Sequence, residues 1–295
     1  MIQVHFKRVI EMNRRDLTKR ALALGLTNLG LFLRPVLAQT APPRDAAPTI
    51  AWPDATNTGA PAGAIVASHD GPLVIEKVGT VISGLDIRGP VYINAPNVTL
   101  QKCKVTAAHF VVIKITASGA RVQDCTINGT GRGNDGSHGI QGTGTLLRNN
   151  ISNVENGITV DGTSPTFIQD NYIHDLLASG SPHYDGIQID GGISNVTIQH
   201  NTIINSYIQT SAVMIDNYYG AISNIKVDSN LLVGGGYTIY VDGHFNANPI
   251  VDVSITNNHL ARGHWGITNF NKTTPLYKGN VNDGAALART LAVVR

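Results

Sequence analysis

Apolar and polar residues alternate in short runs along most of the chain, and one frame of eight positions returns again and again. Written out, it is apolar, any, apolar, any, any, Asn, any, apolar. Val196, Ile198, Asn201 and Ile203 fill it, as do Ile225, Val227, Asn230 and Leu232, and Val253, Ile255, Asn258 and Leu260. Ile168, Asn171 and Ile173 match it, with Phe167 out of frame, and so do Leu146, Asn149 and Ile151. Two earlier copies carry cysteine where the others carry asparagine: Val98, Leu100, Cys103 and Val105, then Ala120, Val122, Cys125 and Ile127. Ile82, Leu85 and Ile87 give a still earlier copy.

The recurring position is Leu85, Cys103, Cys125, Asn149, Asn171, Asn201, Asn230 and Asn258, at steps of 18, 22, 24, 22, 30, 29 and 28 residues. A constant frame at variable steps predicts a fixed coil joined by loops of changing length. Period-two apolar positions predict short strands. A strand without a partner in its own coil must pair with the next coil, about 4.8 Å away. Inward aliphatic residues then stack into columns, and inward Asn residues stack at a bend, bonding backbone amides that the bend leaves bare.

This frame resembles the parallel β-helix repeat of the pectin-lyase-like superfamily, over roughly residues 73–270. The resemblance implies an all-β, right-handed parallel β-helix, a single-stranded solenoid. The domain reading is an export signal over 1–38, a linker or cap lead-in over 39–62, and the β-helix over 63–295. The repeat fades after Phe270, and the role of 271–295 stays open. A fold alone does not assign a function.

Composition narrows the classes. Aromatic residues are only 6% of the 295 residues, and the 31 glycines follow no period of three, which excludes collagen. The formal charge of +2 is set by the first 38 residues, which hold seven Lys/Arg and two acids. Subtracting these from the 22 basic and 20 acidic residues of the whole leaves 15 and 18, so the body is mildly acidic. That argues against nucleic acid as a partner.

Asn13-Arg14-Arg15-Asp16-Leu17-Thr18-Lys19 resembles a twin-arginine export signal. A weakly apolar stretch, Ala21 to Leu33, and small residues near Ala38 follow it, with translation starting at Met1 or Met12. The stretch is too short and interrupted to anchor in a membrane. The expectation is a periplasmic or secreted bacterial protein, a monomer with no membrane anchor after processing. Cys103 and Cys125 fall one coil apart and form either a disulfide or two stacked thiols. Folding before export, in a reducing cytoplasm, favours the thiols.

A second strand follows each Asn turn: Gly157–Asp161, Gly186–Asp190, Ala212–Asp216 and Thr238–Asp242. Ile187, Ile189 and their counterparts face inward. Asp161, Asp190, Asp216 and Asp242 then stack on one outer face. Stacked carboxylates repel, so either a cation such as Ca²⁺ sits among them or some hold protons. The competing reading is that each Asp caps the turn after it, since Gly or Asn follows in all four cases. The neighbouring outward column reads Tyr92, Lys114, Gln141, Thr159, Gln188, Met214 and Tyr240, as a sugar-binding face would. Tyr218, Tyr219, His244 and Phe245 follow the Asp residues as candidate sugar platforms.

Two enlarged loops lead into the same strand layer. One, Asn128 to His138, carries Arg132, Asp135 and His138; the other, His174 to Asp185, ends in His183-Tyr-Asp185-Gly-Ile-Gln188. That last run resembles a His-x-Asp-Gly-Ile-Gln segment of bacterial secreted β-helix proteins, many of them polysaccharide lyases. The resemblance implies β-elimination on a polysaccharide containing uronic acid. In that reading His183, or else Lys114, takes the C5 proton, Asp185 orients His183, and Arg132 holds the substrate carboxylate. Gln188, His138, Tyr218, Tyr240 and His244 bind sugar, and Asp161, Asp190, Asp216 and Asp242 hold the cation. Two alternatives stay open: an inverting glycoside hydrolase using two ladder carboxylates, and a carbohydrate-binding or adhesive module without catalysis. The Asn-Thr-Asp, Asp-Asp and Gly-His-Gly motifs of polygalacturonases are missing, as are the alginate-epimerase motif Tyr-Gly-Phe-Asp-Pro-His and the pectate-lyase pattern Trp-x-Asp-His.

Overall fold

The structure, a computed structural model, describes residues 51–284. The export signal and part of the lead-in lie outside the described residues, as do residues 285–295. Every sheet is parallel, and each strand pairs with its counterpart one coil away. The chain visits three sheets in turn: sheet A with ten strands, then sheet B with nine, then sheet C with nine. The result is a right-handed parallel β-solenoid.

The inward columns are aliphatic. Ile113, Ile140, Ile158, Ile187, Val213 and Ile239 run along sheet B, all fully buried, and Leu100, Val122, Leu146, Ile168, Ile198, Val227 and Ile255 run along sheet C, also fully buried. Burying each such side chain contributes about 1.5–3 kcal/mol.

The Asn turn joins sheet C to sheet A. Its register runs through Cys103, Cys125, Asn149, Asn171, Asn201, Asn230 and Asn258, as the paired strands show. Each inner Asn repeats the same bonds. Asn201 Oδ1 accepts the backbone N–H of Asn171 at 2.9 Å and its Nδ2–H at 2.9 Å. Asn201 Nδ2 in turn donates to Ile168 O at 2.9 Å and to Asn230 Oδ1 at 2.9 Å. The residue before each ladder position has positive φ, for example Arg148 at 50°, Asp170 at 55° and His200 at 50°. That left-handed step costs about 1–2 kcal/mol in a non-glycine residue, and the Asn bonds offset it.

The ladder does not end at Asn258. Asn280 Oδ1 accepts the Asn258 backbone N–H at 2.9 Å, and strands Leu276–Lys278 and Val281–Asn282 add a further coil. Part of 271–295 is therefore solenoid. At the other end Ala67–Asp70 and Leu73–Ile75 precede the first predicted coil. Residues 52–60 lie along sheet A: Trp52 stacks on His200 with centroids 5.3 Å apart, and Gly59 N donates to Arg148 O at 2.9 Å. Cys103 and Cys125 are buried free thiols. Among the described residues no helix is long and apolar enough to cross a membrane.

Candidate functional site

The outward column of sheet B has the predicted order. Tyr92 pairs with Lys114, Lys114 with Gln141, Gln141 with Thr159, Thr159 with Gln188, Gln188 with Met214, and Met214 with Tyr240. Asp216 and Asp242 are neighbours in the same layer, and Asp190 and Asp216 follow the paired Ile189 and Ile215.

Of the two enlarged loops, the first lines a groove over this face through Gly136 and His138, and the second packs against the first. They are stitched together by Asn134, which is 1% exposed. Its Nδ2 donates to Gly129 O at 3.0 Å and to Asn153 O at 2.9 Å, and its Oδ1 accepts the N–H of Ser179 at 3.3 Å. The groove encloses about 610 Å³, with His138, Thr159, Gln188 and Asp190 on its floor and Phe110 and Tyr219 among its walls.

A polar relay crosses the floor. His138 Nδ1 lies 2.7 Å from Thr159 Oγ1, and Thr159 Oγ1 donates to Gln188 Oε1 at 3.4 Å. With the hydroxyl proton given to Gln188, His138 donates from Nδ1, which fixes its tautomer. Gln188 bonds in turn to Asp190. Burial, with help from Lys114, pushes the His138 ring down to about 4, so it is neutral at pH 7.

The four outer Asp residues have four different environments. Asp161 is tied to Lys114, Nζ to Oδ2 at 2.7 Å. Asp216 caps its turn, Oδ1 accepting the Tyr218 N–H at 2.8 Å. Asp242 does the same for His244 at 3.1 Å and also meets His244 Nδ1 at 2.6 Å. The turn-cap reading thus holds for Asp216 and Asp242. Asp190 Oδ1 is buried without a hydrogen-bond partner. Burial raises the Asp190 carboxyl to about 7, and the Asp216 charge adds to it. Burial also raises Asp216, which interacts with both Asp190 and Asp242. The Asp190–Asp216 pair gives up its last proton late, from Asp190, with a midpoint at about 7.

Other predicted residues fall elsewhere. Asp185 is 3% exposed. Its Oδ1 accepts the Ser211 N–H at 3.0 Å and the Ser211 hydroxyl at 2.9 Å, so its bonds go to the next coil and not to His183. Burial holds it well above the usual carboxylate range. His183 is exposed, anchored through its backbone N–H to Glu155 Oε1 at 3.0 Å. Arg132 is exposed on its loop, and neither it nor His183 lines the groove. Tyr240 is half-buried against Tyr237, 5.2 Å between centroids, with its phenol pushed up to about 12 by burial. Tyr218, Tyr219 and Phe245 form an exposed aromatic cluster beside Asp216, with Tyr218 4.8 Å from Tyr219 and 5.7 Å from Phe245. Among the described residues no three His, Cys, Asp or Glu side chains converge on one point as a metal cage.

Phe110 and Glu155 also line the groove, without a sequence signal pointing to them. Phe110 meets the His138 ring edge-on at 5.1 Å. Glu155 is an acid in a short connection, buried to 8% exposure.

A family model described as the right-handed β-helix region matches residues 89–260. The chain belongs to the right-handed β-helix family. Those residues include the whole groove and both enlarged loops. Comparison with curated proteins and with solved structures finds no match, so chemistry must be read from the side chains of this β-helix itself.

Proposed function

We propose that this β-helix is an exported enzyme that hydrolyses a glycosidic bond of a polysaccharide laid along sheet B. Asp190 is the proton donor and Asp216 the nucleophile. The observation that carries the reading is the Asp190–Asp216 pair, in which burial and like charge leave one carboxyl protonated up to about pH 7 beside one that ionises first. Glycoside hydrolysis needs that division of labour.

Asp216 attacks the anomeric carbon while Asp190 gives its proton to the leaving oxygen, and a covalent glycosyl ester forms. Asp190, now ionised, takes a proton from water. The water oxygen attacks the anomeric carbon and releases Asp216. Neighbouring strands are about 4.8 Å apart, and a retaining pair needs about 5–5.5 Å between carboxyls. A covalent intermediate on Asp216 gives retention of anomeric configuration, in place of the inversion considered as an alternative from sequence. The relay from His138 through Thr159 and Gln188 orients Asp190.

A second reading, β-elimination, draws on the buried Asp190 Oδ1 without a partner, which a cation held by Asp190 and Asp216 would satisfy. Of its proposed bases, His183, like Asp216, stands outside the groove lining, and Lys114 is paired with Asp161. One experiment separates the readings: incubation with a panel of polysaccharides, with added Ca²⁺ and with chelator. New reducing ends without an unsaturated product support hydrolysis. Ultraviolet-absorbing unsaturated ends that vanish with chelator replace it by the lyase reading. Binding without any product leaves only a carbohydrate-binding module.

A further inference from the structure

The connections from sheet A to sheet B vary in length along the solenoid. Residues 206–210 join Asn205 to Ser211 and residues 262–265 join Ala261 to Gly266, but between them only Gly235 and Gly236 join Gly234 to Tyr237. A short turn between two longer ones leaves a slot. Glycine makes the short turn: Gly234 has φ 84° and Gly235 has φ 79°. A Cβ on Gly234 would run into Asn205 O, and one on Gly235 would stand 2.8 Å from Ser211 Cα. Only glycine permits so tight a passage.

The slot encloses about 280 Å³ and shares no lining residue with the groove over sheet B. Ile204 and Val233, partners on neighbouring strands, form an apolar floor. Rings close the sides. Tyr172 stacks on His174 with centroids 4.0 Å apart, and Tyr207 stacks on Tyr184 at 3.6 Å, so both lining tyrosines are held in place. A sugar there would bury hydroxyls against rings and branched chains that cannot bond them, whereas a further aromatic ring packs well on such surfaces. At one end stands Arg262, exposed and without an ion pair to any described acid. Of the five N–H groups of a guanidinium, one donates to His264 O at 3.3 Å and one to Trp265 O at 3.0 Å. These bonds pin the group and leave three N–H for a ligand. Asp175, the one acid among the described lining residues, is engaged with His174 at 2.7 Å. It lies three coils from Arg262, about 14 Å along the axis, so the opposite charges at the two ends give a bound acid its direction.

Size sets the ligand. A dry cavity of about 150 Å³ holds benzene, so in proportion this slot holds about eleven non-hydrogen atoms, one ring with a three-carbon acid arm. We propose that the slot is a binding site for a small aromatic carboxylate, with its ring between Tyr172 and Tyr207 over the aliphatic floor and its acid group on the Arg262 fork. The site is separate from the groove and stands whether or not sheet B hydrolyses a polysaccharide.

The test is a titration of the full chain, labelled at Ile and Val methyl groups, with 3-phenylpropanoate, with its uncharged amide of the same size, and with octanoate. Binding is followed at neutral pH by calorimetry and by methyl NMR, with the Ile204 and Val233 signals assigned through Ile204→Val and Val233→Ala. The expected result is that the aromatic acid binds about tenfold tighter than its amide and than octanoate, and moves the Ile204 and Val233 signals. Arg262→Met, a change on an exposed residue, brings the acid down to the affinity of the amide and leaves the amide unchanged. No saturable binding of the acid, equal affinity for acid and amide, a difference that survives Arg262→Met, or shifts confined to the residues of the sheet B groove overturns the site. Octanoate binding as tightly as the aromatic acid overturns the aromatic class.

Discussion

Two ladders share four coils of this solenoid with nearly the same period, one of asparagine inside and one of aspartate outside. The inner ladder is uniform. From Asn149 to Asn258 every rung is fully buried, and every rung passes its Nδ2–H to the next Oδ1 at 2.9 or 3.0 Å. The outer ladder is heterogeneous: one Asp is held by a lysine, two cap turns, and one keeps a buried oxygen without a partner. A repeat that exists to hold the coil gives every copy the same job. A repeat in which one rung departs from its neighbours, at a cost, marks where chemistry is done.

The contrast is sharpened most by removing the departing rung. Asp190→Asn or Asp216→Asn should lower hydrolysis by about 10²–10⁴-fold, with folding retained in circular dichroism. Asp242→Asn, a turn cap in the same ladder, should leave activity within a few-fold of wild type. Equal losses at Asp190 and Asp242 would dissolve the distinction between the rungs.

The inner ladder should fail differently. Asn201→Ala strands two donors of Asn171 and removes the bonds its own amide donates to Ile168, Gln199 and Asn230. A loss of about 2–4 kcal/mol is expected in urea unfolding, with kcat unchanged in the protein that remains folded. A smaller effect is expected from the relay. Thr159→Val breaks the link between His138 and Gln188, and should lower kcat about tenfold while leaving KM alone, since no bond to substrate is removed.

The smallest effect is on stability against pH. The folded Asp190 carboxyl sits near 7, raised from an ordinary value near 3.8. A raised carboxyl stabilises the fold below its unfolded value, and that contribution is lost as pH rises from about 4 through about 7. The wild-type melting temperature should therefore fall over that window, and Asp190→Asn should flatten the fall. For activity the same proton sets an alkaline limb near pH 7.

Much of this was legible in the sequence, for physical reasons. An inward Asn among Ile and Val has to bond the backbone, so the frame at Val196–Ile203 could mean little else. The last rung, Asn280, is not marked by the frame, because Asn282 stands where the frame wants an apolar residue. No further coil among the described residues covers this one, and Leu276–Lys278 is exposed. The outer face was legible as a column but not as a set of roles. Asp161, Asp190, Asp216 and Asp242 look alike in sequence, each followed by Gly or Asn. Only the depth of burial and the reach of Gln188 and Lys114 tell them apart. His183 and Asp185 are two residues apart in sequence, yet the strand start turns Asp185 to Ser211 on the next coil.

The central claim is that Asp190, beside Asp216, keeps its proton up to about pH 7. Carboxyl ¹³C chemical shifts of Asp-labelled protein, assigned by the loss of one signal in Asp190→Asn, follow that proton directly. The account predicts that the Asp190 signal titrates near pH 7, and that Asp216→Asn lowers its midpoint without restoring the ordinary value, because burial is the larger cause. An Asp190 signal titrating near pH 4, as an open surface carboxylate does, would contradict it.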